Sequence, residues 1–266
     1  MLQLGTLIDK RYEILGPLGQ GGMGAVYRVR HVHLSQDFAL KELLNTSPEA
    51  EAQFRQEAQL LAGLQHPHLP RVTDYFSAKG RNYLVMDHVP GEDLQALLDR
   101  RQSPFAPAEV TAWLRQLLEA IAYVHARHVV HRDIKPANLK LTPEGKLVLV
   151  DFGIAKGGEQ GPGRTGFHAH NAYTPYFAAP EQVIGHGTGP RTDLFAVGAT
   201  AVYLLTAQLP PQPAAVPGPL GVALARAMAP DPAGRFADAA AFSAAIGPAA
   251  PAPHLPPPTG RRDIRR

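Results

Sequence analysis

The sequence predicts an α+β protein of two unequal lobes: a small β-rich first lobe that holds one long helix, and a larger, mainly helical second lobe. Three observations point there. Runs rich in β-branched and aromatic residues, Arg11-Tyr12-Glu13-Ile14-Leu15, Ala25-Val26-Tyr27-Arg28-Val29 and Phe38-Ala39-Leu40-Lys41-Glu42-Leu43, follow one another near the start. A single helical pattern then opens at Ser47-Pro48. Beyond residue 92 the periodicity turns helical and includes a segment, 192–205, that is apolar all round and therefore buried. A length of 266 residues suits one large domain or a two-lobed one.

Taken in order, the first two strands flank Leu18-Gly19-Gln20-Gly21-Gly22-Met23-Gly24-Ala25-Val26. Glycines let backbone N–H groups approach a phosphate without Cβ interference. In a dinucleotide fold such a loop opens a helix, but here Val26-Tyr27 continues as a strand, so the spacing predicts a strand–loop–strand cover. The alternative is a glycine-rich surface hairpin. Ser47 and Pro48 supply a hydroxyl cap and a proline for the first turn, and Glu49 and Glu51 suit the positive end of the helix dipole. Phe54, Ala58, Leu61 and Leu64 recur at helical spacing, and Glu57 shares their inward face. A carboxylate placed there wants a cation, and Lys41 is the obvious partner. His66-Pro67 ends the helix. Strands are expected over 71–76 and 82–86 with a turn at Lys79-Gly80, and a link follows at Met86-Asp87-His88-Val89.

In the second lobe a short amphipathic helix is expected from Glu92 to Arg100. A longer one opens at Pro107, with Val110, Trp113, Leu114, Leu117, Ile121 and Val124 as its buried stripe. Next comes His131-Arg132-Asp133-Ile134-Lys135-Pro136-Ala137-Asn138, an apolar strand at Leu147-Val148-Leu149-Val150, and Asp151-Phe152-Gly153. This fixes two carboxylates, a lysine and an amide on turns around one strand. Phosphoryl transfer needs that set: an Asp to orient the attacking hydroxyl and take its proton, a Lys and a metal to neutralise phosphate charge, and an Asn and a second Asp to hold the metal. Residues 154–178 are polar and glycine-rich without periodicity, and Ala179-Pro180-Glu181 closes them. Further helices are expected over 220–228 and 237–246.

The ordered set of motifs resembles the eukaryotic-type (Hanks-type) serine/threonine protein kinases, and Gly-Gly-Met-Gly-x-Val-Tyr resembles the bacterial branch most closely. The resemblance covers about residues 11–247. It divides them into a first lobe at 11–86, a hinge at 87–91 and a second lobe at 92–247, with a lead-in at 1–10 and a Pro-rich basic tail at 248–266 that should be extended or disordered. It implies a two-lobed protein kinase fold and transfer of the γ-phosphoryl group of ATP to serine and threonine hydroxyls of protein substrates, in signalling. Mg²⁺ would be the metal, with Mn²⁺ as a substitute. Asp133 would be the base, Lys135 would act on the transferring group, and Asn138 and Asp151 would hold metal.

By the same resemblance, residues 18–26 cover the phosphates, Lys41 contacts them and pairs with Glu57, and Ala39 lies against the adenine. The backbones of Asp87 and Val89 bond the adenine edge, Met86 guards the back pocket, and Asp93 meets the ribose. Lys140 takes the place of an apolar floor, its aliphatic stem covering that surface. His131 packs near Phe152, and Asp193 braces the catalytic loop backbone. Thr174 shapes the acceptor site, Thr165 is the phosphorylation candidate and Arg132 its partner. Arg235 pairs with Glu181. One departure stands out: only Gln208 to Pro219, with five prolines, separates Ala207 from Leu220, so the region of the family's αG helix is shortened and no regular helix is expected in it. The alternative reading is a nucleotide-binding, pseudokinase-like scaffold of weak activity.

Composition narrows the partners. Four arginines and one aspartate in the last six residues account for the whole net charge of +3, so the basic character belongs to the tail and no nucleic-acid face is expected. With no cysteine there is no thiolate nucleophile or thiolate metal site. No apolar run spans a bilayer and no signal peptide is seen, so a cytoplasmic domain is expected. The residues do not indicate an oligomeric state.

Overall fold

Alternation along the strands divides the first lobe into two faces. In β4 (Gln36–Leu43) and β6 (Arg81–Asp87), Phe38, Leu40, Tyr83 and Val85 pack into one apolar cluster, while Leu43, Leu84 and Met86 join a second one on the opposite side. Lys41 lies between Leu40 and Glu42 and therefore shares the second face. The computed structural model describes residues 2–21, 24–152, 174–185, 187–209 and 212–247.

Six antiparallel strands form the first sheet in the order β1-β2-β3-β4-β6-β5, with β1 at Leu7–Ile8, β2 at Tyr12–Gln20, β3 at Gly24–His31 and β5 at Val72–Ala78. The structure thus draws the expected lead-in into the fold: β1 pairs with β2 and buries Ile8. Helix α1, Pro48–Ala62, is capped by the Ser47 hydroxyl, which accepts from the Ala50 N–H at 3.2 Å. It buries Phe54, Glu57, Ala58 and Leu61, the expected face.

The second lobe opens with β7 (Glu92–Asp93) and α2 (Leu94–Arg101). Here the sequence reading started the helix two residues early. Glu92 and Asp93 instead pair with Leu141 and Lys140, and the Asp93 carboxylate caps α2 by accepting from the Ala96 N–H at 2.8 Å. Helix α3 (Pro107–His125) is followed by β8 (Leu139–Leu141) and β9 (Leu147–Leu149), and β7-β8-β9 form a second small sheet. After α4 (Pro180–Val183), the buried helix α5 runs over Pro190–Thr206. It begins two residues before the expected Thr192, because Pro190 fills the first turn and the Thr192 hydroxyl turns back to accept from the Gly189 N–H at 3.1 Å. Helices α6 (Gly218–Ala227) and α7 (Ala239–Ala245) complete the lobe, and α3 packs against both α5 and α7. Within the shortened segment, where no regular helix was expected, Pro213–Ala215 forms a 3₁₀ turn, and α6 already begins at Gly218, two residues before the expected Leu220, with Pro219 in its first turn. The second apolar cluster runs without a break from Phe54 on α1 to Phe242 on α7 and so joins the two lobes behind the cleft.

Candidate active site

Two clusters of charged side chains face each other between the lobes. The first centres on Lys41. Its Nζ donates to Glu57 Oε1 at 2.9 Å and to Asp151 Oδ1 at 3.0 Å, tying β4, α1 and the loop after β9 together. Lys41 and Glu57 are 13% and 3% exposed, whereas the Asp151 carboxylate is 51% exposed and open to the cleft. Burial disfavours the Lys41 ammonium, but the two carboxylates outweigh it and hold its pKa above the ordinary value. Burial raises the pKa of Glu57 against the pull of Lys41. At Asp151 burial pushes up, but the nearby Lys41 wins and the carboxyl lies below its usual range.

The second cluster is built by the turn around 131–138. Asp133 Oδ2 accepts from Asn138 Nδ2 and from Lys135 Nζ, each at 3.1 Å. Asn138 Nδ2 also donates to the Asp133 carbonyl at 2.7 Å. Both amide hydrogens are therefore committed, and the oxygen Oδ1 is the atom Asn138 can offer to a cation. The Asn138 backbone carbonyl accepts from the Val150 N–H at 2.8 Å, which seats the second cluster next to Asp151. Arg132 and Asp151 adopt left-handed φ values of +67° and +60°, sparsely populated for residues with a Cβ.

Buried groups hold these turns. Asp193 on α5 accepts from the backbone N–H groups of His131 and Arg132, both at 2.8 Å, as the sequence reading expected of a loop brace. His125 Nε2, at the end of α3, lies 2.8 Å from the same carboxylate. The His131 ring lies 4.4 Å from that of Phe152, so His131 packs as expected. Sequence reasoning missed His125. It also missed Gln182, whose Nε2 donates to the Arg132 carbonyl, and Thr192, whose hydroxyl donates to Glu181. All three act through tertiary contacts; the only local signal was a histidine closing the buried stripe of α3.

Other expected residues fall into place unevenly. In the glycine loop, Gly21 N–H closes on the Gly24 carbonyl at 2.9 Å. A Cβ at Gly24 would stand 2.4 Å from the Glu42 carbonyl, so this glycine is required by close strand packing; Gly19 and Gly21 have open space. Leu18 and Gln20 are exposed, Ala25 is buried and Val26 half-buried. Ala39 is buried and Met86 half-buried, in register opposite each other. The Asp87 N–H is taken by the Arg71 carbonyl, which leaves its own carbonyl as what it can offer. Val89 lies between β6 and β7. Lys140 is half-buried opposite Asp93, and burial lowers its pKa against the two nearby carboxylates. Thr174 opens a 3₁₀ turn, Thr174–Phe177. Gly22, Met23, Gly153 and Thr165 lie outside the described residues.

Arg235 spends all five of its N–H donors: on Glu181 Oε1 and Oε2 at 2.7 and 2.8 Å, and on the carbonyls of Ala229, Arg191 and Pro230. Burial pushes the Glu181 pKa up, but Arg235 and Thr192 prevail and hold it below the ordinary glutamate value. Among the described residues no cluster of three or more His, Asp or Glu could hold a metal alone. What the site offers a cation is two hard oxygens, from Asn138 and Asp151. This suits a divalent ion completed by phosphate oxygens and water.

Paired carboxylates, a buried lysine and an asparagine in this arrangement are the residue set of a protein kinase site, and comparison with known proteins gives the same family. The protein kinase domain model matches residues 12–216. The serine/threonine-protein kinase PknF of Mycobacterium tuberculosis is 35% identical over 265 residues, covering 89% of this chain and 56% of that protein. The probable serine/threonine-protein kinase SCO3848 of Streptomyces coelicolor is 38% identical over 210 residues, covering 75% and 31%. Among solved structures, the PknI kinase domain of M. tuberculosis superimposes with a TM-score of 0.73 at 30% identity, covering 92% of this chain and 98% of that one. PpkA-294 in its apo form gives 0.74 at 26%, covering 93% and 99%. The chain belongs to the protein kinase family, in its bacterial serine/threonine branch. It spans about half the length of curated relatives such as PknF.

Proposed function

We propose that this chain transfers the γ-phosphoryl group of ATP to serine and threonine hydroxyls of protein substrates, acting in cytoplasmic signalling with Mg²⁺, or Mn²⁺ in its place. The observation that carries this reading is the pairing of Lys41, Glu57 and Asp151 on one side of the cleft with Asp133, Lys135 and Asn138 on the other. Asp133 orients the acceptor hydroxyl and takes its proton. Lys135 neutralises charge on the transferring group, and Lys41, positioned by Glu57, holds the α- and β-phosphates. Asn138 Oδ1 and the exposed Asp151 carboxylate would hold the metal, which would supply charge neutralisation for the phosphates. The Asp87 carbonyl and the Val89 backbone meet the adenine edge over Ala39 and Lys140, Met86 closes the back, and residues 18–26 cover the phosphates. Asp93 serves the ribose with the oxygen not used in capping.

Thr165 is the proposed phosphorylation site. Arg132 is its partner, for the buried Arg132 Nε has no acceptor among the described residues. The purified chain, given labelled ATP and Mg²⁺ with a generic acceptor protein, should label serine and threonine, and mass spectrometry of the same reaction should find phosphate on Thr165. Nucleotide binding without transfer would leave only a scaffold.

A further inference from the structure

We propose that the groove between α3 and α7 is the docking seat of the chain's own proline-rich segment, residues 248–258. The groove has a volume of about 540 Å³ and lies on the second lobe, outside the active-site clusters. Small and apolar side chains form most of its wall, among them Leu118 and Ala122 from α3 and Ala240 and Ala244 from α7. Arg115 is the exception. Its Nε and Nη2 are buried and have no hydrogen-bond partner among the described residues. These two N–H groups lie on one edge of the guanidinium and form a fork that asks for acceptors.

The adjoining chain offers what the groove lacks. Pro248-Ala249-Ala250-Pro251-Ala252-Pro253-His254-Leu255-Pro256-Pro257-Pro258 contains six prolines. A proline keeps its carbonyl but has no N–H, so the segment carries more acceptors than it can satisfy internally. Its alanines and prolines also match walls made of alanine. Glu119, 66% exposed, lines the same groove and opposes an anionic occupant, whereas a row of neutral carbonyls is not repelled. Reach is ample. Gly247 itself lines the groove and has φ +83°, a left-handed turn that redirects the chain after α7. From Arg115 to Ala122 the helix rises about 10 Å, while eleven residues of polyproline II span about 34 Å. Covalent attachment keeps the segment at high effective concentration, which favours this occupant over a second copy.

Hydrogen exchange on the full-length chain tests the proposal, through a readout that does not depend on phosphoryl transfer. One variant replaces residues 248–258 with a Gly/Ser stretch of equal length, a second is Arg115→Met, and a third combines them. Docking predicts that amides of α7 and of α3 around Arg115 exchange about tenfold faster in each single variant, the scale of one charge-assisted hydrogen bond. The double variant should be no faster than either single one, because both remove the same contact. Without docking, removing two unsatisfied donors would leave α3 unchanged or better protected, and the tail replacement would have no effect. Either result overturns the proposal, as do additive effects or protection that depends on protein concentration, which would assign the groove to a second copy. The tail replacement changes no described residue, so it decides the question even if Arg115→Met folds poorly.

Discussion

Asp133 accepts hydrogen bonds from Lys135 and Asn138 while remaining at the cleft, and Asp193 holds the backbone on which it sits. The backbone that carries it is held by Asp193 and by the Asn138 bond to the Asp133 carbonyl, neither of which depends on the Asp133 charge. Asp133→Asn should lower kcat by about 100- to 10,000-fold, the usual worth of a positioned base, with ATP affinity little changed because Lys41, Glu57 and Asp151 are untouched. Steady-state kinetics with a nucleotide titration measures both; near-native turnover in the variant would remove Asp133 from the role of base. Much of this site was legible because it lies in contiguous motifs: residues 131–138 and 151–153 resemble the family's catalytic and metal-binding loops, and the Val150 N–H bond to the Asn138 carbonyl brings the two together. Glu57 was legible from helical periodicity. His125 was not, since its partner Asp193 is 68 residues away and only folding brings them to 2.8 Å. Asp93 shows a second kind of blind spot. It was read for a ligand, and the structure adds that one of its oxygens caps α2, a local role any N-cap aspartate can take.

At the scale of elements, the stretch from α4 to α7 depends on one buried ion pair. The Arg235 side chain is fully buried, and its five donors join Glu181 of α4 to carbonyls after α6 and at the start of α5. Arg235→Ala should destabilise the protein by about 3–5 kcal/mol, since it leaves the Glu181 charge with little compensation; urea unfolding that shifted by less than about 1 kcal/mol would contradict this, being the range of an exposed pair. The pair also sets a pH dependence. Because the folded pKa of Glu181 lies below its ordinary value of 4.5, its stabilising effect is complete above that pH and is lost as pH falls below it. Comparing wild type with Glu181→Gln, the stability gap should be full at neutral pH and narrow below about pH 4.5. Elements were legible where one periodicity ran uninterrupted, as in α1 and α3. Boundaries slipped where a side-chain cap or a strand pairing fixes the first turn: Thr192 satisfies the Gly189 N–H, so α5 starts at Pro190, and Glu92 and Asp93 pair with β8, so α2 starts at Leu94.

At the scale of the whole molecule, one continuous apolar core links α1 to α7, and every group of the proposed mechanism lies upstream of residue 190, Lys41 on β4, Glu57 on α1 and Asp133, Lys135, Asn138 and Asp151 on the turns of the second lobe. The shortened segment 208–219 lies beyond them. Its end is anchored: Val216 is buried, and a Cβ on Gly221 would stand 1.8 Å from the Val216 carbonyl, so the strap lies directly on the first turn of α6. Helix α6 still leaves Val222 73% exposed, and Arg235 beyond it still reaches Glu181. The shortening should therefore remove a docking surface for protein substrates while leaving catalysis intact. Grafting the longer segment of a related kinase between Ala207 and Leu220 tests this on two substrates. Turnover of a short peptide should barely change, because a peptide engages only the cleft. The KM for a whole protein should fall, because the graft restores a ledge that a folded substrate can touch. An equal rise of kcat on both substrates would instead mean that the native strap distorts the turns around Asp133. The pairing of α5 with the catalytic loop through Asp193 would then be the place to look for the defect.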